Sequence, residues 1–258
     1  MKGLLPKAIV ILVLVAGLSG CTQAFQDIQN GGPAGDPGSN YETYLTGQRK
    51  LVVELDHSPG SNWDTSTSVD EDVRQQLQRI TNKNVEVRTS ADLPAKGSEY
   101  AWSNSELREL HSQHRDVETN DRQVAMHALF LQGKYQQEST GGLAYQAEAF
   151  ALFMDRIEEL TCSNGAIVCD RAERYEVVRS ISIHEAGHLF GLVNSPLPMV
   201  NPHEDPDHEA HSSNEDSVMF WKVESGKAIS DLFSRDTIPY TFDSDDMADA
   251  REQRSGSS

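Results

Sequence analysis

The run His184-Glu185-Ala186-Gly187-His188 places two imidazoles four residues apart with a carboxylate between them. On a helix, positions i and i+4 lie one turn apart on the same face. Both rings can therefore converge on one tetrahedral zinc ion. Glu185 follows the first histidine and points beside such an ion rather than at it. There it can take a proton from water and later return it to a leaving amine. Zinc held in this way lowers the pKa of its water to about 7 and polarises a carbonyl group. The chemistry offered by these residues is hydrolysis at neutral pH.

A third protein ligand is needed, and it is not where the chain first turns back. Gly191 lets the backbone bend toward the metal, but three residues later stands Asn194. An amide oxygen is a poor zinc ligand beside imidazole or carboxylate. Downstream, "SPLPMVNPHEDPDHEAHSSNEDSVMFW" offers His203, His208 and His211. The same stretch packs carboxylates and imidazoles closely. It therefore also reads as a place for a second cation within residues 203–211, or as a solvated loop.

His184, Glu185, His188 and Gly191 resemble the metzincins, a family of zinc metalloproteases with the motif H-E-x-x-H-x-x-G-x-x-H or D. The match departs at Asn194. In the matrix-metalloprotease branch the third histidine leads, eight residues later, to the methionine of a tight turn beneath the zinc. Here the step from His211 to Met219 is also eight, after an insertion of seventeen residues relative to Asn194. The resemblance thus implies His211 as third ligand, with His203 and His208 as alternatives, and Met219 as the Met-turn residue under the metal. It implies a peptide substrate bound in extended form to an edge strand, for which "TGGLAYQA" is the candidate, an ordinary hairpin being the other reading. It also implies a C-terminal helix, for which "DSDDMADAREQR" is suited. Phe220 stands where some relatives have tyrosine, so no phenolic donor is available there. The motif-level match spans roughly residues 170–250; upstream, only the order of elements agrees.

The elements that must position these residues follow from periodicity. Val69, Val73, Leu77 and Ile80 recur at helical spacing behind an acidic first turn. "SNSELRELHSQH" reads as a helix capped by Ser103 or Ser105. Residues 50–56, 84–90 and 123–132 read as strands. "GGLAYQA" and "EAFALFMDRI" read as two further extended segments, the second helical by propensity alone. A long helix is expected from Asp170, with a cap and Glu173 at capping-box spacing, to Gly191, where glycine ends it. The predicted class is α/β (α+β): a metzincin-like twisted mixed sheet with an active-site helix, a Met-turn and a C-terminal helix.

The ends of the chain and its bulk properties bound the setting. "MKGLLPKAIVILVLVAGLSGC" has two lysines, an apolar run too short to span a bilayer comfortably, and small residues before Cys21. The Leu18-Ser19-Gly20-Cys21 ending resembles the bacterial lipobox, which implies a signal peptide over 1–20 and a lipidated Cys21. Residues 21–40 read as a flexible tether and 41–258 as the zinc metalloprotease domain, with 41–191 forming its sheet and helices and 192–258 its insertion loop, Met-turn and C-terminal helix. An exported, lipid-anchored protein on the cell membrane or the outer membrane is expected, and Thr22 is compatible with onward sorting. Export makes a Cys162–Cys169 disulfide plausible.

The 258-residue chain carries a formal charge of -18. Such a surface repels nucleic acid and anionic headgroups and excludes nucleic-acid binding as a role. The expected partners are a peptide or protein substrate and, through the lipid, a membrane, with the domain a monomer. Two other readings remain open from sequence: a catalytically silent, zinc-stabilised binding lipoprotein, and a metal-scavenging surface protein. Neither requires Glu185.

Overall fold

The computed structural model describes residues 35–61, 69–137, 139–161, 171–225, 232 and 238–256. Cys21, the expected signal peptide, the Cys162–Cys169 pair and the Asp170 cap lie outside the described residues. No helix among the described residues is long and apolar enough to cross a membrane.

Central to the fold is a five-stranded sheet. In chain order its strands are β1 (Lys50–His57), β2 (Val85–Ser90), β4 (Gln123–Leu131), β6 (Gly142–Gln146) and β7 (Ala149–Phe153). A short pair, β3 (Ala101–Trp102) with β5 (Lys134–Tyr135), stands apart from it. The spatial order is β2-β1-β4-β7-β6. The first four strands run parallel, and β6 is antiparallel to β7. This is a mixed α/β architecture, as the alternation of strand and helix patterns leads one to expect.

Burial of β4 is continuous from Val124 onward, because helices cover both faces of the sheet. Val124, Met126, Ala128 and Phe130 enter one core, which they share with Val73, Leu77, Ile181 and Leu189. Leu129 and Leu131 enter the opposite core, with Leu107, Leu110 and Trp102.

Helix α1 (Tyr41–Leu45) precedes the sheet. Helix α2 (Val69–Thr81) buries Val69, Val73, Leu77 and Ile80, the four positions whose spacing predicts a helix. Its acidic first turn also reaches another element: Asp72 accepts from Arg179 at 3.3 Å and from the Tyr175 hydroxyl. Helix α3 (Asn104–His114) is capped by Ser103, which forms a reciprocal capping box with Glu106, so Ser105 is not the cap.

The expected extended segment "EAFALFMDRI" is corrected: it divides into β7 and helix α4 (Met154–Thr161). Parallel pairing to β4 ends at Phe153. Asp155, in the first turn of α4, then accepts the Gly133 amide at 2.5 Å, which fixes the switch from strand to helix.

Two elements complete the domain around the site. Helix α5 (Arg171–Leu189) contacts α2, α4, β6 and β7, and from Val177 onward it is buried nearly all round. Its lower half therefore presents no solvent face, and its polar residues Ser180, His184, Glu185 and His188 lie inside the protein. Helix α6 (Ser244–Gly256) is the C-terminal helix; Asp243 caps it by accepting from the amides of Asp245 and Asp246. Between them, β8 (Glu204–Asp205) and β9 (His208–Ser212) form a small hairpin.

Candidate metal centre

Helix α5 delivers His184 and His188 from consecutive turns, with their Nε2 atoms 3.1 Å apart. Gly191 then ends the helical path at φ 67°, and a Cβ there would meet the Pro196 ring at 2.9 Å. Asn194 also lies in the left-handed region, at φ 62°, and its side chain turns away to donate to Glu204 at 3.2 Å. The expected break at Asn194 is thus a structural one, because its amide is engaged elsewhere.

The 17-residue detour comes back through the β8–β9 hairpin. Ala210 takes a left-handed φ of 63°, a conformation that costs a non-glycine residue about 1 kcal/mol or more. Hydrogen bonds hold that turn on both sides: Ala210 N donates to Glu204 Oε1 at 2.9 Å, and Ser212 N donates to the Met219 carbonyl at 2.8 Å. His211, between them, is buried and joins the two helical histidines. Among the described residues, one cluster of His, Asp, Glu or Cys has all its ligand atoms within 4.8 Å of one another: His184, His188, His211 and Glu224.

Hydrogen-bond direction fixes what these rings present. His184 Nδ1 faces the Val218 carbonyl at 2.7 Å, and His211 Nδ1 faces the Glu209 carbonyl at 2.8 Å. A carbonyl only accepts, so both Nδ1 atoms carry a proton and the Nε2 atoms are the ones that face the centre of the cluster. Burial first, then the charges of His184 and His211, push the His188 pKa well below its ordinary value, so this ring stays neutral. Three imidazoles and a carboxylate gathered in a buried site suit one shared cation, and nitrogen donors of which two, His184 and His211, have carbonyl partners behind them suit zinc. The residues present fit the ion that the sequence motif implies.

Met219 packs against the helix that carries the motif. It is fully buried, and its sulfur would come within 2.3 Å of a Cβ placed on Gly187. Only a glycine inside the motif lets the sulfur pack that close to the helix. The turn is fixed from α6: Asp246 Oδ2 accepts from Ser217 Oγ at 2.7 Å, and Ser217 Oγ accepts from the Met219 amide at 3.0 Å.

Glu185 lies beside the cluster and is fully buried. Its Oε2 accepts the Ala144 amide of β6 at 2.7 Å, while Oε1 has no hydrogen-bond partner among the described residues. Burial first, and then the charge of Glu224, hold its carboxyl well above the ordinary glutamate range; the Ala144 amide partly offsets this. β6 is an edge of the sheet, as the edge-strand reading of "TGGLAYQA" requires, and it carries a bulge between Ala144 and Gln146.

The two alternative third ligands go elsewhere. His203 Nδ1 donates to the Asn201 carbonyl at 2.9 Å, and its Nε2 faces Asp246 and Asp249 of α6 at 3.6 and 3.7 Å. His208 stacks on Trp221 with ring centroids 4.0 Å apart and pairs with Asp205 at 3.1 Å. The three imidazoles of residues 203–211 therefore face three different sets of partners. Glu224 is the member of the cluster that sequence reasoning missed. It follows the Met-turn by five residues and belongs to no spacing motif.

Fold and site together bring three histidines and an adjacent carboxylate into a cluster suited to a metal ion, built between a long helix and the edge of a mixed sheet. No protein-family model and no curated protein matches the chain. Among solved structures, it is similar to an archaemetzincin from Methanopyrus kandleri at 16% identity and a TM-score of 0.45, over 79% of this chain and 95% of that one. It is likewise similar to a zinc-dependent peptidase from Methanocorpusculum labreanum at 14% identity and a TM-score of 0.44, over 78% of this chain and 98% of that one.

Proposed function

We propose that the protein is a zinc-dependent peptidase of metzincin type. The observation that carries this reading is the convergence of the His184, His188 and His211 rings beside a buried Glu185 whose carboxylate is held by an edge-strand amide. The three imidazoles hold the ion. Zinc, when bound, supplies Lewis acidity that activates a water and polarises the scissile carbonyl.

Glu185 works on protons. Its raised pKa suits a group that accepts a proton from the attacking water and returns it to the leaving amine near neutral pH. Ala144 holds one carboxylate oxygen, which leaves Oε1 as the one to face the reacting water. The substrate peptide lies extended along β6, using backbone hydrogen bonds for affinity. Met219 keeps the floor beneath the ligands apolar. Lipidation at Cys21 anchors the domain outside the cytoplasm, and Cys21→Ser is expected to release the protein from the membrane fraction.

The test is a broad peptide library offered to the zinc-loaded full chain and to Glu185→Gln. Cleavage should fall about 10²–10⁴-fold in the variant, with zinc content unchanged. A second reading, a catalytically silent zinc-stabilised lipoprotein, is favoured by one observation: Glu224 would complete a four-ligand set, as in structural zinc sites. It prevails if the zinc-loaded protein and a Glu224→Ala variant both leave every peptide intact.

A further inference from the structure

Three histidines leave a tetrahedral zinc one position for water or substrate. In this chain a fourth side chain, Glu224, reaches the same three imidazoles. Glu224 Oε1 lies 3.2 Å from His211 Nε2, and Oε2 lies 3.6 Å from His184 Nε2 and 3.9 Å from His188 Nε2. The side chain is 13% exposed, so this carboxylate is largely withdrawn from water and requires a cationic partner. The four ligand atoms are close enough together to share one ion.

A second observation concerns the backbone of the same residue. The Val223 amide donates to the Phe220 carbonyl at 3.0 Å, closing a turn just after Met219. The chain then meets the approach to β6. The Glu224 carbonyl accepts from the Gly141 amide at 3.3 Å, and Ser225 forms an antiparallel bridge with Thr140. Residues 224–225, at the end of this turn, thus make backbone contacts with the segment leading into the edge strand, the kind of contact an added peptide strand would use. One residue supplies both a backbone contact to the approach to β6 and a carboxylate among the three imidazoles.

We propose that Glu224 is a fourth metal ligand in the resting protein, and that residues 223–225 form an intramolecular pseudo-substrate that a true substrate must displace. The displacement by peptide rests on the peptidase reading; the ligation by Glu224 does not. A tethered ligand acts at a high effective concentration, so small anions compete with it poorly. Removing it opens the fourth position.

The experiment uses the full chain with cobalt(II) in place of zinc. Visible absorption is recorded with and without millimolar azide, and zinc affinity is measured by chelator competition. Wild type, Glu224→Ala and the size-matched Glu224→Gln are compared, so that a folding defect in one variant does not decide the result. Wild type should show a spectrum insensitive to azide. Both variants should show an azide-dependent spectrum and zinc affinity at least about tenfold weaker. Glu224→Ala should also cleave peptides with a higher kcat/KM than wild type.

The same spectrum, azide response and zinc affinity in all three proteins would overturn the proposal. Changed spectra without cleavage by any of the proteins would uphold the ligation and remove the peptidase reading. Cleavage with unchanged spectra would do the reverse.

Discussion

The backbone amide of Ala144 donates to Glu185 Oε2 at 2.7 Å across 41 residues of sequence. The amide belongs to the edge strand and the carboxylate to the helix that carries both histidines. The carboxylate proposed to handle protons is therefore held against the strand along which substrate is proposed to lie. Gly142, two residues earlier, keeps this contact possible: a Cβ there would stand 2.3 Å from Ile181 Cγ2 and 2.6 Å from Glu185 Oε1. Gly142→Ala should displace the carboxylate and lower kcat/KM by about 10²-fold, the scale expected of an ångström-sized misplacement. Zinc content should not change. Steady-state kinetics with metal analysis checks this; undiminished turnover would mean that the strand does not position Glu185.

The Met-turn is tied to the C-terminal helix through one hydroxyl. Ser217 Oγ bridges the Met219 amide and Asp246, and all three residues are buried. Ser217→Ala takes the partner from the buried Met219 amide and leaves Asp246 Oδ2 with the Asp243 amide alone. The expected loss is about 1–3 kcal/mol, read as a lower midpoint in urea. The adjacent Val218 carbonyl orients His184, so zinc affinity should fall in the same variant.

Gly187 makes a separate prediction about packing. A methyl group there would overlap the Met219 sulfur and approach the Phe242 ring at 3.2 Å. Gly187→Ala should destabilise the fold by about 1–3 kcal/mol through overpacking. A Gly187→Ala, Met219→Ala double variant should be less destabilised than the sum of the two single changes, because one clash is removed. Denaturation curves of the four proteins make the comparison.

A pH dependence follows from His203. Burial opposes charge on its ring, but the facing Asp246 carboxylate, the Asn201 carbonyl and the charge of Asp249 outweigh burial and raise its pKa from 6.5 to about 9. A folded pKa above the unfolded value means that the native state binds the proton more tightly. The stabilisation is complete below the unfolded value of 6.5 and is lost as pH rises through about 9. The melting temperature should decline over that window in wild type. In His203→Gln it should start lower and change less, as thermal scans at a series of pH values would reveal.

Much of the scaffold was legible because it depends on local periodicity. The spacing of Val69, Val73, Leu77 and Ile80 predicts α2, and the motif itself predicts the face of α5. The strand at Ala149–Phe153 was blurred into its helix because "ALFMDRI" has no breaker; tertiary pairing to β4 makes the division. His211 could be reached from its distance to Met219, though only through a family resemblance. Asn194 marked where the usual ligand fails but not where the chain goes next. Glu224 had no sequence signal, since it arrives by pairing of the chain against residues 140–141, a contact between segments distant in sequence. Gly142 and Gly187 look like ordinary small residues until the atoms beside them are seen.

The central claim is that His211, carried back by the detour, completes the metal centre that Asn194 does not. Zinc per chain, measured by mass spectrometry on full-length wild type, His211→Ala and Asn194→Ala after dialysis against a weak chelator, tests it most directly. One tightly held equivalent in wild type and in Asn194→Ala, with the ion lost from His211→Ala, is the predicted result. Full zinc retention by His211→Ala, or its loss from Asn194→Ala, would contradict the account.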